Sequence, residues 1–156
     1  AGLLGYGVES EKIKCIFDTK EAKEIEYTYN FEQNIDRHPN AVDFILEGDI
    51  NMTVSGNSVG AGNVEITKID DFTTKISGEY NTLLLFYKDK PGMISTVSKI
   101  IQTENINIPS LHCDRTSKGG VASMYIALDI PVGDDVVAQI KENKDVFFAT
   151  NIRKLK

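Results

Sequence analysis

The sequence predicts an α+β protein in two parts, a small N-terminal unit over residues 1–78 and a βαββαβ unit over residues 79–156. Three observations predict it. An uninterrupted apolar run, Leu83-Leu84-Leu85-Phe86, stops at Lys88-Asp89-Lys90-Pro91-Gly92 and gives way to a helical apolar period. The flanking segments alternate apolar and polar residues, the pattern of half-buried strands. Charge divides as well: residues 1–80 hold seven Lys/Arg against fifteen Asp/Glu, whereas residues 81–156 hold ten against eight. The break falls near Ser77-Gly78.

In chain order, Ser10 can cap a helix that carries Ile13, Ile16, Phe17 and Ala22 to about Lys23. Ile25, Tyr27, Tyr29 and Phe31 alternate with Glu26, Thr28 and Asn30, which predicts a half-buried strand with an aromatic face. His38-Pro39-Asn40 leads into a strand over 41–46, the Gly48-Asp49 turn follows, and 50–54 returns as the other arm of a hairpin. Residues 55–63, Ser-Gly-Asn-Ser-Val-Gly-Ala-Gly-Asn, are predicted as a loop before the alternating Val64, Ile66 and Ile69. Its glycines lead into a strand and carry no Lys-Ser/Thr, so neither a dinucleotide fingerprint nor a Walker loop is present. What remains is a concentration of backbone N–H groups, two hydroxyls and two amides, apt for a small anion or an amino acid. A plain glycine turn is the competing reading.

The second unit opens with a strand over 82–87 that lacks alternation, which fits a central strand covered on both faces. Met93, Val97, Ile100 and Ile101 then form one stripe of a helix to about Glu104, with Pro91 placed in its first turn. Gly92 has no Cβ, so N–H groups of that turn can approach a ligand, and the helix N-terminus favours a carboxylate. Asn107 begins a second strand that ends at His112 to Arg115; Pro109 suits an edge. Ala122, Met124, Ile126, Leu128 and Ile130 form a third strand. After Pro131, Asp134-Asp135 can cap a helix that turns Val136, Val137 and Ile140 inward. Residues 146–155 supply the last strand, with Phe147, Ala149 and Asn151 alternating with Phe148, Thr150 and Ile152. That order closes as a ferredoxin-like antiparallel sheet with two helices on one face. Pairing of its edge strand with a symmetry mate predicts a homodimer.

An acidic chain without a Lys/Arg cluster lacks the footprint of a nucleic-acid binder. No stretch approaches the ~20 apolar residues of a membrane span, and the chain reads as soluble and cytoplasmic. Cys15 and Cys113 lie outside any C-x-x-C pattern, so no metal or cluster site is expected and both are taken as packed thiols. His38 and His112, the remaining imidazoles, have no Ser/Asp or Cys partner arrangement for a triad. The glycine-rich opening without methionine is expected to be a cut inside a longer polypeptide.

The acidic residue, Pro-Gly, helix and hydrophobic-Asn-hydrophobic order, here Asp89, Pro91-Gly92 and Ile106-Asn107-Ile108, resembles an ACT domain, the small regulatory amino-acid-binding module. The resemblance implies an effector site at Tyr87, Asp89, Pro91, Gly92 and Asn107. Where serine-responsive relatives carry a histidine and an asparagine, this chain has Tyr87 and Asp89. Taken with Gly2-Leu3-Leu4-Gly5, His38-Pro39-Asn40, the 55–63 segment and Ser77-Gly78-Glu79-Tyr80, the chain resembles the β chain of bacterial iron–sulfur-dependent L-serine dehydratase. That resemblance implies an allosteric substrate-binding domain over 1–78, incomplete at its N-terminus, and a second effector site at His38, Asn40, Ser55, Asn57, Ser58, Gly60, Gly62 and Asn63. It further implies L-serine as effector, an α subunit that carries a [4Fe–4S] cluster, and no catalysis by this chain alone. The alternatives are a regulatory module of another serine-pathway enzyme, such as a phosphoglycerate dehydrogenase, or a module that only mediates assembly.

Overall fold

The computed structural model describes residues 2–7 and 9–155. The chain divides into two compact units, Ala1–Ile35 and Asp36–Lys156.

The first unit holds short helical pieces in place of the predicted single helix. A 3-10 turn spans Gly2–Leu4, a second spans Glu11–Asp18 with non-helical backbone at Cys15, and a separate turn α1 spans Lys20–Lys23. Ser10 makes no side-chain cap. The cap belongs to Thr19, whose hydroxyl donates to the Ile16 carbonyl at 2.7 Å and accepts from the Ala22 N–H at 3.3 Å. A residue that satisfies the end of one turn and the start of the next breaks the helix there. The strand predicted over 25–31 does not form. Phe31 is 96% exposed and Tyr29 69%, while Tyr27 finds Phe17 and Tyr29 at ring distances of 5.3 and 5.7 Å. Alternation supplies a face, but the backbone N–H groups of these residues have no ladder.

The second unit contains two antiparallel four-stranded sheets. The first runs β1 (Ala41–Leu46), β2 (Met52–Gly60), β3 (Asn63–Ile69) and β4 (Phe72–Ile76) in sequential order. The predicted 41–46 hairpin is present, paired from Ala41↔Asn57 to Leu46↔Met52. The predicted 55–63 loop is instead mostly strand. β2 continues to Gly60, and a two-residue turn, Ala61-Gly62, brings Asn63 opposite it. Ala61 and Gly62 have φ of 52° and 76°, the left-handed pair that a tight hairpin requires to match strand twist. β4 is additional to the predicted strands; Phe72, Thr74 and Ile76 alternate after the Asp70-Asp71 turn and all three are buried.

The second sheet contains β5 (Asn81–Lys88), β6 (Ser110–Arg115), β7 (Val121–Leu128) and β8 (Val146–Ile152) in spatial order β6-β7-β5-β8, with α2 (Met93–Thr103) and α3 (Asp134–Lys141) as crossovers. This is the predicted βαββαβ order with β6 at an edge. β5 is central and pairs with β7 and β8. Its alternate residues serve two cores. Leu83 and Leu85 pack with Val97, Ile101, Met124, Ile126 and Ile140 on the helix side. Leu84 and Phe86 pack with Ile69, Phe72 and Ile76 of the first sheet on the other side. The Phe86 ring lies 5.4 Å from Phe72 and 5.7 Å from Phe148. This double cover explains the run without alternation.

Four details differ from expectation. Pro91 lies before α2, and Gly92 is its N-cap with φ 93°. Asp134 and Asp135 sit inside the first turn of α3, after the Gly133 N-cap, where they favour the helix dipole without capping it. Ile130 lies beyond β7 and is exposed. Phe147 is exposed and sits where the pairing of β5 with β8 shifts, from Phe86↔Phe148 to Tyr87↔Val146, an extra residue that breaks its alternation with Ala149.

Candidate functional site

The β5-to-α2 turn and the end of β6 share one end of the second sheet, because β5 and β6 are both antiparallel to β7 and therefore parallel to each other. Between them lies an open cleft of about 790 Å³ whose lining includes Tyr87, Asp89, Lys90, Pro91, Gly92, Ser95, Ser98, Cys113, Asp114 and Arg115. Nothing lies within 4 Å of a Cβ placed on Gly92, so its glycine is required by the positive φ rather than by crowding. Lys90 reaches back to Asp145 with contacts of 2.7 and 2.8 Å and ties the turn to the entry of β8.

Asp89 makes three hydrogen bonds on the cleft wall. Its Oδ2 accepts from the Gly119 N–H and from Arg115 Nη1, each at 3.0 Å, and its own N–H donates to the Gly120 carbonyl at 2.8 Å. The Gly119 N–H, then Arg115, hold its carboxyl below the ordinary range, so it is ionised at neutral pH. Asp89 does not cap α2, whose N-cap has no side-chain bond. Tyr87 is buried, and burial followed by the neighbouring Cys113 pushes its hydroxyl above the usual range. The cleft thus presents two carboxylates, Asp89 and Asp114, the Arg115 guanidinium, the Lys90 ammonium already held by Asp145, two serine hydroxyls and the amide end of a helix, a set of charges of both signs suited to a small zwitterion.

Asn107 is not part of it. Its Nδ2 donates to Asp129 Oδ2 at 2.9 Å and its carbonyl accepts from the Asp129 N–H at 3.3 Å. It sits at the opposite end of the sheet, because α2 begins beside Asp89 and its 11 residues carry the chain back by roughly 16 Å. A residue that follows a crossover helix cannot lie beside one that precedes it. The same reasoning, applied to β6, would have found Arg115: the far end of β6 returns to the Asp89 end.

The second predicted site is partly assembled. Ser58 N–H donates to the Asn40 carbonyl at 3.0 Å, and Ala41 pairs with Asn57, so His38, Asn40, Asn57 and Ser58 are neighbours. His38 Nδ1 accepts from the Asn40 N–H at 3.2 Å, and the His38 carbonyl accepts from the Ala41 N–H at 3.0 Å. Gly60, Gly62 and Asn63 lie at the hairpin tip, beyond the end of β1. Ser55 is opposite Asp43, whose carboxylate takes both Arg37 nitrogens at 2.7 and 2.8 Å. Arg37 first, then Ser55, lowers the Asp43 pKa to about 2. Much of the predicted concentration of free N–H groups is used by the β-ladders.

The two cysteines are free and exposed, which corrects their reading as packed thiols. Among the described residues no group of three or more His, Cys, Asp or Glu side chains could hold a metal ion. Among the same residues no helix is long and apolar enough to cross a membrane.

The fold and the cleft at its first strand-to-helix turn define an ACT-like domain, and a family description, AHAS small subunit-like ACT domain, matches residues 83–147. The similarity of the chain as a whole is to L-serine dehydratase beta chains. It is 28% identical over 154 residues to the probable L-serine dehydratase, beta chain, of Bacillus subtilis (strain 168), covering 97% of this chain and 69% of that one. It is 28% identical over 145 residues to the L-serine dehydratase, beta chain, of Peptoniphilus asaccharolyticus, covering 89% and 64%. A D-3-phosphoglycerate dehydrogenase of Synechocystis sp. (strain ATCC 27184 / PCC 6803 / Kazusa) is 27% identical over 88 residues, 56% of this chain and 16% of that one. The resemblance carried by the motifs therefore holds along nearly the whole sequence, and the chain spans about two thirds of the length of those beta chains.

Proposed function

We propose that this chain is the regulatory, amino-acid-sensing part of an L-serine dehydratase, which converts L-serine to pyruvate and ammonia. The observation that carries the reading is the similarity to beta chains across 97% of the chain, joined to a cleft whose charged groups match a zwitterion. In this reading residues 1–78 correspond to the allosteric substrate-binding domain and residues 79–156 to the ACT domain. L-serine is the effector, bound at the Asp89 cleft, with the His38, Asn40, Asn57 and Ser58 cluster as the rival location. The partner is a cytoplasmic α subunit. The [4Fe–4S] cluster belongs to that subunit, since two cysteines fall short of the four thiolates such a cluster usually takes. The β6 edge, Ser110–Arg115, pairs with a second copy to form a homodimer.

Calorimetric titration with L-serine tests the reading. Saturable heat with L-serine, and no pyruvate from L-serine after anaerobic iron–sulfide reconstitution, is the expected pair of results. Absence of heat with any proteinogenic amino acid would leave assembly as the role. The similarity to a phosphoglycerate dehydrogenase favours a second host enzyme, yet it covers little more than half of this chain, whereas the beta chains cover nearly all of it.

A further inference from the structure

Arg115 is not among the residues that the sequence marks for ligand contact, yet it stands on the cleft wall with its guanidinium on Asp89 at 3.0 Å. We propose that Arg115 is the carboxylate reader of the cleft and occupies on Asp89 the place that the ligand's ammonium takes. The inference rests on the reading of this cleft as an amino-acid site.

The geometry makes the exchange balanced. The Asp89 carboxylate holds two donors on one oxygen, the Gly119 N–H and Arg115 Nη1. Gly119 is part of the turn that joins β6 to β7, and the Asp89 N–H fixes Gly120 in the same turn. The backbone bonds therefore stay while the guanidinium leaves. The Arg115 side chain is 56% exposed, so its ion pair is of the kind that contributes little to stability and gives way readily. An α-amino acid places its ammonium on Asp89 and its carboxylate on the released guanidinium, which turns one ion pair into two. An amine without a carboxylate evicts Arg115 and brings it no carboxylate in exchange. A carboxylate without an amine draws Arg115 away and leaves Asp89 to a single backbone N–H. The cleft thus selects the zwitterion over either half, and the bidentate fork of arginine suits it to the carboxylate.

Binding also reaches the fold. Arg115 is the last residue of the edge strand β6, so its release from Asp89 detaches the end of that strand from the β5-to-α2 turn.

Calorimetry on the full chain with L-serine and ethanolamine, which differ by the carboxylate, tests the proposal in wild type, Arg115→Gln, Arg115→Lys and Asp89→Asn. The wild type should prefer L-serine by about tenfold or more, the size of one charge-assisted pair. Arg115→Gln should lose that preference and Arg115→Lys should keep part of it, which a merely structural role would not produce. Asp89→Asn, which retains an acceptor for the Gly119 N–H, should lose L-serine. If L-serine is lost in Asp89→Asn but the preference survives in Arg115→Gln, the role of Arg115 is overturned and the cleft stands. If L-serine binds Asp89→Asn as it binds wild type, or does not bind wild type, the cleft reading falls and the role of Arg115 falls with it.

Discussion

Residues 25–31 and residues 81–88 both have strand composition, yet only the second forms a strand. The first has the cleaner alternation, four aromatic or branched residues against three polar ones. β5 has neighbours on both edges and a core on each face, whereas 25–31 has contacts among rings and no ladder. The difference teaches that a pattern of side chains proposes a face, while the backbone bonds that make a strand come from elsewhere in the chain.

The largest test of that contrast is truncation in each segment. Leu85 is fully buried, so Leu85→Ala should lower stability by about 2–5 kcal/mol in urea unfolding. Phe31→Ala should stay within about 0.5 kcal/mol; a loss beyond about 1 kcal/mol would mean that the segment packs.

A smaller effect is expected at the turn that follows β5. Gly92→Ala should cost about 1–2 kcal/mol, because φ 93° penalises a Cβ even where nothing crowds it. Thermal unfolding would show it, and an unchanged midpoint would place the turn in another conformation.

The smallest lies in the first sheet. The Asp43 carboxyl is lowered from 3.8 to about 2 by Arg37 and Ser55. Its folded pKa is depressed, so the stabilisation is complete above about pH 4 and is lost as pH falls toward 2. Both partners are 39% exposed, so solvent screening reduces the gain to about 0.5 kcal/mol. The stability difference between wild type and Arg37→Gln should shrink from pH 5 to pH 2; a constant difference would assign the effect to packing.

The same contrast explains what was legible. The doubly covered β5, the stripe of Met93, Val97 and Ile101, and the edge position of β6 follow from periodicity and connection order, both local properties. The short turns after Ser10, the bulge at Phe147 and the conversion of residues 55–60 to strand depend on which backbone groups find partners. Asp89 was visible through its motif. Arg115 and Gly119 were not, since they meet Asp89 across 26 and 30 residues through strand direction alone. Asn107 lies at the other end of the sheet, on Asp129, for the converse reason: nearness in the motif is not nearness in space.

The most direct test of the account is an L-serine titration followed by heteronuclear NMR in wild type, Asp89→Ala and Ser58→Ala. The account predicts shifts in the amides of residues 89–98 and 113–120, abolished by Asp89→Ala and retained in Ser58→Ala. Shifts confined to the amides of residues 56–64, and unaltered in Asp89→Ala, would contradict it and move the serine site to the hairpin of the first sheet.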